Sequence, residues 1–157
     1  MNDIRSSDTH SSQQERVILI TGASSGIGKA TALYLAEKAQ QQQQLKQQQQ
    51  NGNDVNSTTN NNNIQCICTA LVLFARRLEP LQATERQLHA KYPSNGMLQT
   101  LIVTGDARIP RDNERAVQAA LDKFGGLHGM FINAGVFRGH QPLIDMADDD
   151  IDLLLDT

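Results

Sequence analysis

The chain has 157 residues, enough for one hydrophobic core of ordinary size, and a formal net charge of −3. This charge, with no run of Lys and Arg, argues against a nucleic-acid-binding surface. Residues 1–16 are polar and lack the apolar centre of a secretory signal, so they predict a disordered tail. We therefore expect a cytoplasmic protein without a membrane partner.

The first predicted strand is followed by a glycine-rich loop and then by a helix. Residues 17–20 form a short apolar run suited to a buried parallel strand, and residues 21–28 read TGASSGIG. Residues 27–39 place apolar side chains among good helix formers, with no Gly after Gly28 and no Pro. In this order the first N–H groups of the helix are unpaired and its positive dipole end faces the loop, which suits a phosphate.

The three glycines of this loop have separate expected roles. Gly22 permits a tight turn, Gly26 lets the backbone approach a pyrophosphate, and Gly28 lets the helix pack closely on the strand. The alternative is a glycine turn without a ligand, which the strand and helix on either side disfavour. The cofactor-binding residues predicted here are Gly22, Ser24, Ser25, Gly26, Ile27 and Gly28.

Residues 40–63 are almost pure Gln and Asn. Such a tract cannot offset its ordering entropy by burial, so we expect it to be disordered, or loosely helical after Ala39. It accounts for 24 of the 48 positions between Gly28 and Arg76, and the other 24 suit a dinucleotide-binding βαβ unit. The tract is therefore interpreted as an insertion between the first helix and the second strand. Because such tracts self-associate, assembly is an alternative function.

The two cysteines, Cys66 and Cys68, form an isolated C-x-C pair at the entrance to the second strand. A zinc site needs four ligands and no second pair exists, so we expect reduced thiols and no metal. The acidic run at residues 148–152 lacks an accompanying His or further Asp cluster. Carboxylates in a first helical turn favour a solvated helix start there.

The second predicted strand, residues 70–75, runs directly into Arg76 and Arg77. In dinucleotide-binding units this strand end meets the adenosine ribose, where a carboxylate would bind both hydroxyls and repel a 2′-phosphate. Guanidinium groups instead pair with phosphate, which favours NADP over NAD. The alternative is that the two arginines merely open a solvated helix.

Helices and strands continue to alternate after this point. The third predicted strand, residues 98–103, leads to Asp106, which either accepts a bond from an adenine amino group or caps the next helix. The second helix is expected to bury Leu78, Leu81, Leu88 and Tyr92, and the third to bury Ala116, Val117, Ala120, Leu121 and Phe124 before it stops at Gly125.

A fourth buried strand is predicted over residues 129–132, leading into Asn133, Ala134 and Gly135. The alternation predicts an α/β fold, a Rossmann-type doubly wound parallel sheet that is incomplete, with about four strands and flanking helices. Ligands bind such sheets at the carboxyl ends of the strands. Residues at those ends are Gly22, Arg76, Asp106 and Asn133.

These motifs resemble those of the short-chain dehydrogenases/reductases. The sequence at 21–28 is similar to that family's glycine motif, and residues 133–135 are similar to its NAG motif beside the cofactor. Asp106, with Ala107 next to it, matches the family's adenine-binding aspartate. The resemblance implies an oxidoreductase that transfers hydride between NADP(H) and a small-molecule alcohol or carbonyl, and a homo-oligomer in full-length form. The segments around the glycines and arginines look most like NADP-dependent 3-hydroxy acid (serine) dehydrogenases.

Two residues depart from the family pattern. Ile132 stands where the family usually has Asn, so the hydrogen bond of that Asn to the central strand is not expected. His128 stands where Asp is common, and we interpret it as structural because it precedes a buried strand.

The resemblance also implies catalytic Asn, Ser, Tyr and Lys residues that follow the NAG motif. The Asn would come immediately after Thr157, so we expect this chain to be a cofactor-binding half without activity of its own. Tyr34 and Lys38 have the Tyr-x-x-x-Lys spacing but lie on the first helix, away from the nicotinamide end, so no catalytic residue is predicted. The alternatives are a non-catalytic NADP-binding module and a fragment.

Overall fold

The computed structural model describes residues 15–51, 67–93, 98–136 and 142–155. Its elements alternate as β1 (Glu15–Thr21), α1 (Gly26–Asn51), β2 (Ile67–Ala75), α2 (Leu78–Lys91), β3 (Gln99–Thr104), α3 (Pro110–Phe124), β4 (Gly129–Phe131) and α4 (Asp148–Leu155), with a short 3-10 helix at Leu143–Asp145. The strands form one parallel sheet in the order β3-β2-β1-β4. This confirms the predicted Rossmann-type fold.

Residues 70–75 of β2 are buried on both faces of the sheet, and they are apolar without interruption. Leu71 and Leu73 share one core cluster with side chains of α1 and α2. Val72 and Phe74 belong to a second cluster on the opposite face, which includes side chains of α3. The period of two along a strand thus separates the helices into two layers around the sheet.

The helix α1 ends at Asn51, twelve residues later than the sequence predicted. Of the two states expected after Ala39, disorder and a loose helix, residues 40–51 adopt the helix. Gln is a good helix former, and Gln41 accepts a bond from Lys38 (3.1 Å) and donates to Glu37 (3.1 Å) across one turn. Although α1 has 26 residues, neither it nor another helix in the described ranges is apolar enough to cross a membrane.

The remainder of the tract and most of the predicted tail lie outside the described residues. These are residues 52–63 and residues 1–14. The first strand begins at Glu15, two residues before the predicted start, so the last two residues of the predicted tail belong to the sheet.

The fourth strand is short and half exposed, so the prediction of a buried strand is wrong. It pairs with β1 at only three positions, residues 18–20. Met130 within β4 is 47 % exposed, and Ile132 beyond it is 81 % exposed. The apolar residues of 129–132 suggested burial on both faces, but in the described part of the chain β4 has β1 alone as a strand neighbour.

Side chains of α3 form hydrogen bonds to the edge of β3 that faces away from β2. The N–H of Gly105 donates to Ala75 O (3.0 Å), so the alternation along β3 turns the carbonyls of Thr100 and Thr104 away from β2. Lys123 donates to Thr100 O (2.8 Å), and a second α3 side chain, that of Arg115, donates to Thr104 O (2.6 Å). These bonds satisfy edge carbonyls and hold α3 against the strand that leads into Asp106.

The predicted faces of α2 and α3 are correct in their central turns and wrong at single positions. Leu81 and Leu88 are fully buried, whereas Leu78, the first residue of α2, is 50 % exposed. In α3, Ala116 and Ala120 are buried but Leu121 is exposed.

Truncation of Leu88 to Ala is expected to lower the free energy of unfolding by about 2 to 5 kcal/mol, because it leaves a cavity against β2. Truncation of the half-exposed Leu78 to Ala is the matched control and is expected to cost less than about 1 kcal/mol. Urea unfolding followed by circular dichroism measures both values. Equal losses for the two variants would contradict the described packing of α2.

Candidate cofactor-binding site

A cleft of about 500 Å³ opens at the carboxyl ends of the strands. It lies where the strand order reverses, since β2 and β3 are on one side of β1 and β4 is on the other. Twelve of the thirteen predicted cofactor-binding residues line it, namely Gly22, Ser24, Ser25, Gly26, Ile27, Arg76, Arg77, Asp106, Ala107, Asn133, Ala134 and Gly135. Its volume is within the range of small-molecule sites.

The thirteenth predicted residue, Gly28, is buried and does not line the cleft. A Cβ at this position would collide with the carbonyl oxygen of Gly22 and would stand 2.8 Å from Nδ2 of Asn133. Gly28 therefore lets α1 pack against its own loop and against Asn133. This corrects the expected contact, which was with the strand itself.

The first backbone N–H groups of α1 have no acceptor within the helix. The backbone N–H of Lys29 donates to Ser25 O (3.2 Å), and the N–H groups of Gly26, Ile27 and Gly28 precede this bond without an acceptor within the helix. Gly26 has a φ of 53°, and a Cβ there would meet no atom within 4 Å. The helix thus begins at the cleft with unpaired N–H groups and its positive dipole end, an arrangement that suits a phosphate.

Thr21, which the sequence analysis did not single out, ties this loop to the segment after β4. Its buried hydroxyl accepts hydrogen bonds from the backbone N–H of Asn133 (2.9 Å) and of Ala134 (3.0 Å). The side-chain amide of Asn133 also donates, through Nδ2, to the backbone carbonyl oxygen of Thr21 (3.3 Å). The sequence did contain a signal for this role of Thr21, because Thr21 stands at the start of the glycine motif and at a strand end.

Arg76 and Arg77 follow β2 directly, and both are exposed at the cleft. The residue before them, Ala75, also lines the cleft and carries no charge. Two guanidinium groups therefore stand at this strand end, where a ribose-binding carboxylate would exclude a 2′-phosphate.

Asp106 does not cap α3, so that alternative is wrong. The helix begins at Pro110, with Ile109 as its N-cap residue and no side-chain cap. The backbone N–H of Asp106 donates to Asp112 Oδ2 (2.8 Å), and Asn113 Nδ2 donates to Ala107 O (2.8 Å). The first turn of α3 thus holds the Asp106 loop at the cleft, a support that the sequence analysis missed.

The carboxylate of Asp106 is bonded to Arg108, two residues further along. Nη2 of Arg108 donates to Oδ2 at 2.7 Å, and its backbone N–H donates to Oδ1 at 3.0 Å. The side-chain and then the backbone hydrogen bond from Arg108 lower the pKa of Asp106 to about 2. Asp106 is therefore an ionised acceptor at neutral pH.

His128 braces β1, which confirms its interpretation as a structural residue. The backbone N–H of Val17 donates to Nδ1 of His128 (3.1 Å), and the backbone N–H of His128 donates to Val17 O (2.9 Å). Because Nδ1 accepts a bond, the neutral ring carries its proton on Nε2.

Tyr34 and Lys38 lie on α1 outside the lining of the cleft. Tyr34 is 57 % exposed, and the Lys38 ammonium lies 5.4 Å from the centre of its ring. The pair therefore makes a solvent-facing cation–π contact on the helix surface.

The described residues form no group of three or more His, Cys, Asp or Glu side chains placed to hold a metal ion. Cys68 is a buried free thiol whose pKa is raised to about 11, chiefly by burial. Cys66 lies outside the described residues. The acidic residues Asp148, Asp149 and Asp150 form the first turn of α4, as predicted.

Comparison with known proteins places the sequence in an enzyme family. The family model for short chain dehydrogenases matches residues 68–157. An uncharacterized oxidoreductase of Listeria monocytogenes is 31 % identical over 143 residues, covering 91 % of this chain and 44 % of that protein. The NADP-dependent 3-hydroxy acid dehydrogenase of Schizosaccharomyces pombe is 27 % identical, covering 90 % and 42 %.

A solved structure supports the same fold. The alcohol dehydrogenase of the archaeon Thermococcus sibiricus, complexed with 5-hydroxy-NADP, superimposes with a TM-score of 0.60 at 19 % identity. The match covers 91 % of this chain and 46 % of that one. The chain thus spans less than half the length of the relatives that it matches.

Replacement of Thr21 by Val removes the hydroxyl and leaves the N–H groups of Asn133 and Ala134 without their acceptor. Relative to Thr21→Ser, which keeps the hydroxyl, the Val variant is expected to lose about 1 to 3 kcal/mol of unfolding free energy. Chemical denaturation measures this difference. If the Val variant equals or exceeds the Ser variant in stability, the hydroxyl does not hold the cleft together.

Proposed function

The chain belongs to the short chain dehydrogenase family, and on this premise we propose that its cleft binds NADP(H) and that the whole protein transfers hydride between this cofactor and a small-molecule alcohol or carbonyl compound. The observation that carries the proposal is the meeting of four strand-end segments in one cleft. They are the glycine loop after β1, the arginines after β2, Asp106 after β3 and residues 133–135 after β4.

The start of α1 is the proposed site of the pyrophosphate. The N–H groups of Gly26 and Ile27 have no acceptor within the helix, and Ser24 and Ser25 add hydroxyl donors at the cleft. The open space at Gly26 leaves room for phosphate oxygens near the backbone. Both the helix dipole and the unpaired N–H groups favour a negatively charged group in this position.

Arg76 and Arg77 are proposed to bind the 2′-phosphate and thereby to select NADP(H) over NAD(H). They stand at the ribose end of the βαβ unit, and their guanidinium groups match phosphate geometry. The Schizosaccharomyces pombe relative is named as NADP-dependent, and the Thermococcus sibiricus structure contains 5-hydroxy-NADP. These names support the same choice of cofactor here.

The remaining cleft residues fit the two ends of the dinucleotide. Asp106, with Ala107 beside it, is proposed to lie at the adenine ring. Its ionised carboxylate can only accept hydrogen bonds, so it would accept one from the adenine amino group. Asn133, Ala134 and Gly135 are proposed to lie beside the nicotinamide ring, which when bound supplies or accepts the hydride. The residues of this chain bind and orient the cofactor.

The substrate class is proposed from the family alone. An alcohol or carbonyl compound follows from membership, and a 3-hydroxy acid is the narrower candidate because one relative is named for that activity. We also propose that residues 17–157, joined by Glu15 and Arg16 of β1, form a partial dinucleotide-binding domain into which the Gln- and Asn-rich tract at 40–63 is inserted.

Titration of NADPH fluorescence is expected to show tighter binding of NADPH than of NADH. Each of the substitutions Arg76→Gln and Arg77→Gln is expected to raise the Kd for NADPH by about tenfold, because a charge-assisted bond to the 2′-phosphate is lost. The Kd for NADH should change little. Arg86→Gln, at an exposed position of α2 outside the cleft lining, is the matched control for loss of charge.

Two outcomes would contradict this proposal. If the chain binds neither NADPH nor NADH, the cleft is not a cofactor-binding site. If NADPH and NADH bind with equal affinity, and both cleft variants leave these affinities unchanged, the cleft still binds a dinucleotide but the arginines do not select NADPH.

A further inference from the structure

We propose that Arg108 is a positioning residue that fixes the carboxylate of Asp106 so that the cleft selects adenine over bases with a carbonyl group at the same ring position. This inference rests on the proposed function, since it concerns how the same cleft recognises its dinucleotide. Arg108 does not itself line the cleft, whereas Asp106 does.

The geometry around Asp106 fixes the orientation of its carboxylate. Besides the bonds from Nη2 and the backbone N–H, Nε of Arg108 lies 3.1 Å from Oδ1 and 3.2 Å from Oδ2. The planar guanidinium therefore contacts both oxygens along one edge. Rotation of the carboxylate about its own axis would break these contacts.

The backbone of Asp106 is fixed as well. Its N–H donates to Oδ2 of Asp112, and the other oxygen of Asp112 forms an ion pair with Arg115 at 2.9 Å. The Asp106 side chain is 17 % exposed, and that of Arg108 is 38 % exposed. Both the backbone and the carboxylate of Asp106 are thus held, and the side chain is partly covered at the wall of the cleft.

A fixed, ionised carboxylate distinguishes bases by the group that faces it. The 6-amino group of adenine donates a hydrogen bond, whereas the 6-oxo group of hypoxanthine is an acceptor and would face the carboxylate oxygens unfavourably. At pH 7 the carboxylate of Asp106 is unprotonated, as an ordinary aspartate is, and the bonds from Arg108 lower its pKa further, to about 2, so it cannot donate to an oxo group. Without Arg108, the side chain could turn away from an unfavourable base, and selection would weaken.

The test compares NADPH with its analogue that carries hypoxanthine in place of adenine, by fluorescence titration of the 157-residue chain at pH 7. The wild type is expected to bind NADPH about tenfold more tightly than the analogue. Arg108→Met is expected to reduce this preference to about threefold or less, because a mobile carboxylate accepts less well from adenine and can turn away from the oxo group of the analogue. Arg108→Lys keeps the charge without the planar fork and should give an intermediate preference.

The matched control is Arg111→Met, which removes an exposed arginine from the first turn of α3 and is expected to leave the preference unchanged. Asp106→Asn is the reference for lost selection, because an amide can either donate or accept. Its preference should be close to one.

An unchanged preference in Arg108→Met, or an equal loss of affinity for both nucleotides, overturns the inference, because a merely structural role would weaken both alike. An unchanged preference in Asp106→Asn overturns it too. If Arg108→Met does not fold, an unchanged preference in Arg108→Lys has the same meaning. Failure of the wild type to bind NADPH instead contradicts the proposed function.

Discussion

The hydroxyl of Thr21 is the contact on which the cleft depends. The sheet order reverses at β1, and β4 pairs with β1 at only three positions, so strand pairing alone fixes the segment after β4 weakly. Two hydrogen bonds to the Thr21 hydroxyl hold Asn133 and Ala134 at one end of β4, and His128 holds Val17 at the other. The same Asn133 lies against the loop glycines and thereby places the start of α1.

The charges of the cleft are arranged for a molecule with phosphate groups at one side and a hydrogen-bond donor at the other. The start of α1 and the pair Arg76 and Arg77 favour anions, whereas the carboxylate of Asp106 is an acceptor. Each of these groups stands at a strand end, so the parallel sheet sets their spacing. The match between this pattern and a dinucleotide phosphate is the physical basis of the proposed function.

The sequence predicted the lining of the cleft well because strand ends can be read from apolar runs and glycines. It could not show which side chains support that lining, since the contacts of Thr21, Asp112 and Asn113 join residues that only the fold brings together. The length of α1 was underestimated because a Gln tract has few apolar side chains to bury, yet its local bonds favour a helix. Burial of β4 was overestimated because composition does not reveal how many neighbours a strand has.

The most direct measurement is a crystal structure of the chain grown with NADPH. We expect the pyrophosphate within hydrogen-bond distance of the backbone N–H groups at Gly26 and Ile27, with the 2′-phosphate at Arg76 or Arg77. A nucleotide bound elsewhere, or bound with its phosphates away from the start of α1, would contradict the central claim that this helix end holds the cofactor.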